Sequence, residues 1–113
     1  MLDINLEFRK GILFVRLDGR LNNLTISKFE REIISLIEDN GIGQIFFNLR
    51  NLTRIDKEGI KVLIKINNMV KKRQGLCMYC ESECIYVNEK LSNLYLNNYL
   101  KKQKNELDAL TLV

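Results

Sequence analysis

The stretch NLTRIDKEGIKVLIKI, Asn51 to Ile66, begins as the end of a strand and continues as a helix, with the turn DKEG between them. Before it, QIFFNL (Gln44–Leu49) is a short apolar run, the pattern of a buried strand. After it, Ile60, Leu63, Ile64, Asn67 and Val70 keep the three-and-four spacing of a helix. A strand feeding directly into a helix is the repeating step of an α/β fold, in which a mostly parallel sheet is buried against helices. Asp56, at the turn, is placed to cap the helix by accepting a bond from an unpaired backbone N–H.

The same reading extends in both directions. Leu2–Phe8 alternates apolar and polar residues, as a half-buried strand does, and Arg9-Lys10-Gly11 reads as a hairpin turn. Ile12–Leu17 is nearly all apolar, which suits a central strand covered on both faces, and Gly19 is expected to end it. Thr25 or Ser27 can cap the next helix, whose stripe is Phe29, Ile33, Ile34 and Ile37, and Asn40-Gly41 stops it. Beyond Gly75, LCMYC (Leu76–Cys80) is a further strand. Helical spacing resumes through Val87, Leu91 and Leu94, an extra strand is expected near Leu96–Leu100, and NELDALTLV (Asn105–Val113) reads as a last helix. The expected architecture is α/β, a single domain over residues 1–113. Its mixed sheet has four to five strands, an N-terminal antiparallel hairpin followed by mostly parallel strands, with about four helices. No proline, linker or repeat marks a boundary.

Composition narrows the function. At 113 residues, 46% hydrophobic and 28% charged, the chain has the balance of a globular protein with one core. No apolar run approaches the roughly 20 residues needed to span a bilayer. MLDINLEFRKG carries Asp3 and has no apolar signal core, so a cytoplasmic location is expected. The net charge is +4, yet the basic clusters Lys71-Lys72-Arg73, Lys101-Lys102 and Lys104 lie in no nucleic-acid motif, and no aromatic interleaves the first. They suit solvated helix ends better than direct nucleic-acid binding. Cys77, Cys80 and Cys84 share a stretch with metal-like spacing, but four ligands are needed for a closed zinc site. There is no histidine or fourth cysteine, and a stand-in carboxylate at Glu81 or Glu83 would be unusual. The cysteines are expected to be structural, with no metal and no cofactor.

In parallel sheets, sites collect in loops at the carboxyl ends of strands. Two such loops, Asp18–Thr25 and Leu52–Gly59, should open on the same end. They offer Asp18, Arg20, Asn22, Asn23, Arg54, Asp56, Lys57 and Glu58. Without histidine the commonest general base is missing, and Asn40–Gly43 lacks the spacing of a phosphate loop, so catalysis is not expected. Lys57, Lys61 and Lys65, four residues apart with Glu58 alongside, instead make one basic helix face suited to docking an acidic partner.

Three segments, GILFVRLDGRLNNLT, IFFNLRNLTRIDKEGIKVL and ELDALTLV, resemble the STAS domain of bacterial anti-sigma factor antagonists, from about Leu2 to Val113. The resemblance implies a regulator that docks on an anti-sigma factor, often also a serine kinase, and so frees a sigma factor. It also implies an off-switch: phosphorylation of the Ser or Thr after the turn aspartate. Asp56 matches that aspartate, Gly59 the glycine after it and Ile60 the following leucine. The phosphoacceptor position holds Lys57, however, and Asn22 replaces the usual aspartate of the first loop. DKEG thus resembles a phosphorylation turn without its hydroxyl, and Glu58 sits one position too late to mimic a phosphoserine. Of the other hydroxyls, Thr53 is expected to be poorly accessible on its strand, and Ser27 remains. The expected turn and docking surface is Asn22, Asn23, Asp56, Lys57, Glu58, Gly59, Lys61 and Lys65. The alternative is a STAS-type small-ligand-binding or transporter-accessory protein, because fold does not fix function.

Overall fold

The computed structural model describes residues 1–111. Strands β1 (Leu2–Arg9) and β2 (Ile12–Leu21) form the antiparallel hairpin, turned by Lys10 and Gly11, both at positive φ. Then follow α1 (Ile26–Asn40), β3 (Gln44–Ile55), α2 (Lys57–Lys71), β4 (Leu76–Cys80) and α3 (Ile85–Asn93). A single 3-10 turn at Leu96–Asn98 leads to the two-residue strand β5 (Lys101–Lys102) and the short helix α4 (Glu106–Leu110). The sheet order is β1-β2-β3-β4-β5, antiparallel at β1 and parallel thereafter. This is the mixed five-stranded α/β fold expected from the sequence.

One face of the sheet carries the main core. Phe29, Ile33 and Ile37 of α1, Ile60, Leu63, Ile66 and Val70 of α2, and Val87 and Leu91 of α3 close over Val15, Leu17, Ile45, Phe47 and Cys77. A smaller cluster, Ile12, Phe14, Phe46, Met78 and Cys80, lies on the other face with Ala109 of α4. Burial on both faces explains why β2 and the first half of β3 read as continuous apolar runs.

Two strands are longer than the sequence suggested. Gly19 does not end β2, which runs on to Leu21, and β3 continues past Leu49 to Ile55. Much of the two expected loops is therefore strand. The register between them slips twice, at Arg16/Asp18 and at Gly19/Arg20, each time with an extra residue in β3. Each slip inverts the alternation, so Leu49, Leu52 and Ile55 are all buried in the main core at a spacing of three. A period-two reading stops at the first slip. Gly19 itself sits at φ +114, and a Cβ there would lie 2.2 Å from the Met1 carbonyl oxygen, so the hairpin strands meet where only glycine fits. The extra strand also lies elsewhere than expected: Leu96–Asn98 is the 3-10 turn, and pairing with β4 begins at Lys101. Asn105 caps α4, accepting from the Asp108 backbone N–H at 2.9 Å, and the last two residues of the expected tail helix lie outside the described residues.

A polar cluster fastens α4 to the sheet. Arg16 on β2 donates from Nε and Nη2 to both carboxylate oxygens of Glu106, at 2.8 Å each, and also to Glu7 at 2.7 Å and Asn5 at 2.9 Å. Asn48 on β3 donates to Glu106 at 2.8 Å. The Arg16 hydrogen bond is the main cause holding the Glu106 carboxyl below its ordinary range, with Asn48 adding to it against the opposing effect of burial. A carboxyl depressed in the fold stabilises it fully above the unfolded value, roughly 4.3, and loses that contribution as pH falls through the folded value. Urea midpoints of the wild type should thus fall more steeply below about pH 4.3 than those of Glu106→Gln, the gap between the two narrowing with acid.

Candidate functional site

The carboxyl ends of β2 and β3 lie in register, with Arg20 beside Arg54 and Leu21 beside Ile55. Asn22 and Asp56 therefore leave the sheet next to each other, and the Asp56 N–H donates to the Leu21 carbonyl at 3.3 Å. Asp56 is extended (φ −109°, ψ −179°) at the N-cap of α2, and its Oδ1 accepts from the Gly59 N–H at 2.9 Å. Its Oδ2 accepts from the Asn23 N–H at 3.0 Å. One carboxylate thus caps the helix and ties down the preceding loop. A cap of this kind contributes about 1 kcal/mol.

The first loop is self-braced. Asn22 Oδ1 accepts from the Leu24 N–H at 2.9 Å, an Asx turn, and its carbonyl accepts from Thr25 and Ile26 at 3.0 Å. Thr25 stands at the N-cap of α1, but its hydroxyl accepts from the Asn22 N–H at 3.0 Å and donates to the Arg20 carbonyl at 2.9 Å. It braces the loop rather than capping the helix with its side chain. Gly59 lies against β2, where a Cβ would come within 2.5 Å of the Leu21 carbonyl oxygen.

Asn22, Asn23, Asp56, Lys57 and Glu58 thus form one continuous rim, whereas Gly59, expected in the docking surface, is buried beneath it against β2. Lys57 and Glu58 are exposed on the first turn of α2, and Lys57 makes no ion pair among the described residues. Lys61 follows, 3.6 Å from Glu58. Lys65 is turned toward α1, where its Nζ lies 2.6 Å from Glu30, so it braces two helices. The lysine face is continuous in sequence but divided in its contacts.

The structure adds groups that the sequence reading passed over. Leu24, between Asn23 and Thr25, is 85% exposed, an apolar tip on a polar loop. The end of β3 and the first turns of α3 enclose a cleft of about 400 Å³ lined by Thr53, Arg54, Ile55, Tyr86, Val87 and Lys90. Tyr86 is 74% exposed at its mouth. Leu24 has a local signal, an apolar residue within NNLT; the approach of Tyr86 and Lys90 to Arg54 has none. Thr53, expected to be poorly accessible, is exposed, and its hydroxyl donates to the Gly19 carbonyl at 2.9 Å.

The three thiols are separated. Cys77 faces the main core, where burial pushes its thiol up to about 12, while Cys80 faces the smaller cluster and is raised by the same cause. Cys84 is half-buried at the start of α3, its Sγ 3.7 Å from the Thr53 carbonyl. Alternation along β4 sends the first two to opposite faces, and no group of three or more His, Cys, Asp or Glu among the described residues is arranged to hold a metal ion. No helix among them is long and apolar enough to cross a membrane. Both Asp56 oxygens accept backbone bonds, so the groups the rim turns outward are the Lys57 and Lys61 cations, the Glu58 carboxylate, asparagine amides and the apolar Leu24.

A sequence model of the STAS domain matches residues 3–108. An anti-sigma F factor antagonist of Paenibacillus polymyxa is 27% identical over 80 residues, which are 71% of this chain and 68% of that protein. Among solved structures, an anti-sigma factor antagonist from Mycobacterium paratuberculosis superposes with a TM-score of 0.86 at 18% identity, covering 100% of this chain and 94% of that one. The Bacillus cell fate determinant SpoIIAA in its phosphorylated form gives 0.75 at 14% identity, covering 98% and 100%.

Proposed function

The chain belongs to the STAS domain family, and from there we propose that it is a non-catalytic docking module of the anti-sigma factor antagonist kind. Its partner is an anti-sigma factor or serine kinase-like protein, met in the cytoplasm, and its contact surface is the rim of Asn22, Asn23, Asp56, Lys57 and Glu58 with Lys61, seated on the buried Gly59. The observation that carries this reading is the double acceptance by Asp56. It joins the β2–α1 loop to α2 and leaves Lys57, at the position that is a phosphoacceptor in the family pattern, pointing to solvent.

A phosphate at that place would add about −1.5 to −2 charges, whereas Lys57 supplies +1, a difference of roughly three units. SpoIIAA is known in phosphorylated and unphosphorylated forms. This chain, with no hydroxyl at the position, is held in the binding-competent state. Incubation with the cognate kinase and ATP tests it directly. Wild type is expected to take up no phosphate and to keep its affinity, while Lys57→Ser takes up phosphate and loses binding by more than tenfold. Stoichiometric phosphorylation of wild type followed by release would show that the switch has moved to another hydroxyl.

One observation favours the second reading, a small-ligand-binding or transporter-accessory protein: the cleft beside Tyr86 has the volume of a modest ligand site. Loss of partner binding on Tyr86→Ala, with no small molecule retained from cell extract, distinguishes docking from ligand capture.

A further inference from the structure

Strand β1 is an outer strand of the sheet. Over eight residues, Leu2–Arg9, it pairs with β2 on one side and with no strand on the other among the described residues. Its register with β2 is unbroken from Leu2 opposite Gly19 to Arg9 opposite Ile12, and it contains no proline, bulge or lysine. Natural sheets usually protect an edge with just such features. Leu2, Ile4, Leu6 and Phe8 lie on the main-core face, opposite Gly19, Leu17, Val15 and Leu13. Exposure rises along that row: Leu2 is buried, Leu6 is 39% exposed and Phe8 59%. An unpaired backbone edge flanked by uncovered apolar side chains is a surface for another strand.

We propose that the occupant is a second copy of this chain, paired antiparallel through β1 in a two-fold register centred on Leu6. Two-fold antiparallel pairing brings like edges together only when the centre falls on a residue, and charge selects among the central ones. Centred on Asn5, the register sets Asp3 opposite the partner's Glu7, twice. Centred on Glu7, it sets Glu7 against itself. Centred on Leu6, it sets Asp3 opposite the partner's Arg9 twice, Ile4 opposite Phe8, and Leu6 opposite Leu6. Like charges directly opposite destabilise a sheet and opposite charges stabilise it, so this register is favoured.

The local bonding is compatible with it. Asp3 makes no ion pair among the described residues, and Arg9 has only a 3.8 Å contact with Glu7. Asn5 accepts from Arg16 through Oδ1, which leaves its amide hydrogens to donate to the partner's Glu7. The edge shares no residue with the Asp56 rim, so a dimer of this form leaves both docking surfaces open.

Sedimentation equilibrium of the purified chain over a concentration series is the test. Wild type is expected to associate to a dimer. Asp3→Arg or Arg9→Asp alone should weaken association at least tenfold, and the two together should restore it. In a Cys84→Ser background, Leu6→Cys should form an intermolecular disulfide under mild oxidation, whereas Asn5→Cys should not. A monomer at every concentration, a dimer indifferent to the single reversals, a double swap without rescue, or cross-linking that ignores the register overturns the proposal.

Discussion

Replacing Lys57 and Lys61 together with glutamate should lower affinity for the docking partner by about a hundredfold while leaving the fold intact. Two unit charges about 4 Å apart in water interact by about 1 kcal/mol, and reversal turns attraction into repulsion of similar size. Two such positions, discounted for screening by salt, leave about 3 kcal/mol, and each 1.4 kcal/mol is tenfold. Stability should change little, because both side chains are exposed. Glutamate at position 57 lies in the first turn of α2, where negative charge suits the helix dipole, and that offsets the solvent-screened repulsion between Glu58 and a glutamate at position 61. Lys65 is left in place because its reversal would set two carboxylates together beside Glu30 and disturb the α1–α2 packing. Calorimetric titration at two salt concentrations should show weaker binding and a smaller salt dependence. Unaltered affinity would mean that the partner reads another surface.

The second large effect is on the scaffold beneath that surface. Gly59→Ala should destabilise the protein by about 3 kcal/mol and lower its melting temperature by on the order of 12 °C or more. The added Cβ would lie 2.5 Å from the Leu21 carbonyl oxygen and 2.9 Å from Ile55 Cγ1. The nearer obstacle is backbone in a paired strand, so relief requires α2 to lift from the sheet. That motion pulls Asp56 away from Asn23 and takes the rim apart, so binding should fall with stability. Gly43→Ala is the matched control. Nothing lies within 4 Å of a Cβ there and its φ is not positive, so its melting temperature should stay close to wild type. Equal effects of the two substitutions would show that the close approach at Gly59 is not what makes glycine necessary.

Some of this architecture is a property of the chain itself. The spacing of Phe29, Ile33 and Ile37, and of Ile60, Leu63 and Val70, marks two amphipathic helices because each buries one stripe against one sheet. Asp56 before KEG announces a capped helix start, since the cap is a bond between residues three apart. The alternation of strands and helices then requires the two loops to open together. Other features are not written locally. The true lengths of β2 and β3 depend on slips in their mutual register, and a bulge is defined by two strands, not one. Lys65 looked like part of a free basic face until α1 brought Glu30 against it. Thr53 looked covered, but its place at the strand end leaves it open, beside the cleft that α3 completes with Tyr86 and Lys90. Periodicity and capping report interactions within a few residues, so the sequence determined the elements and the turn. Which side chains meet across the sheet is set by long-range packing, and only the tertiary structure decided that.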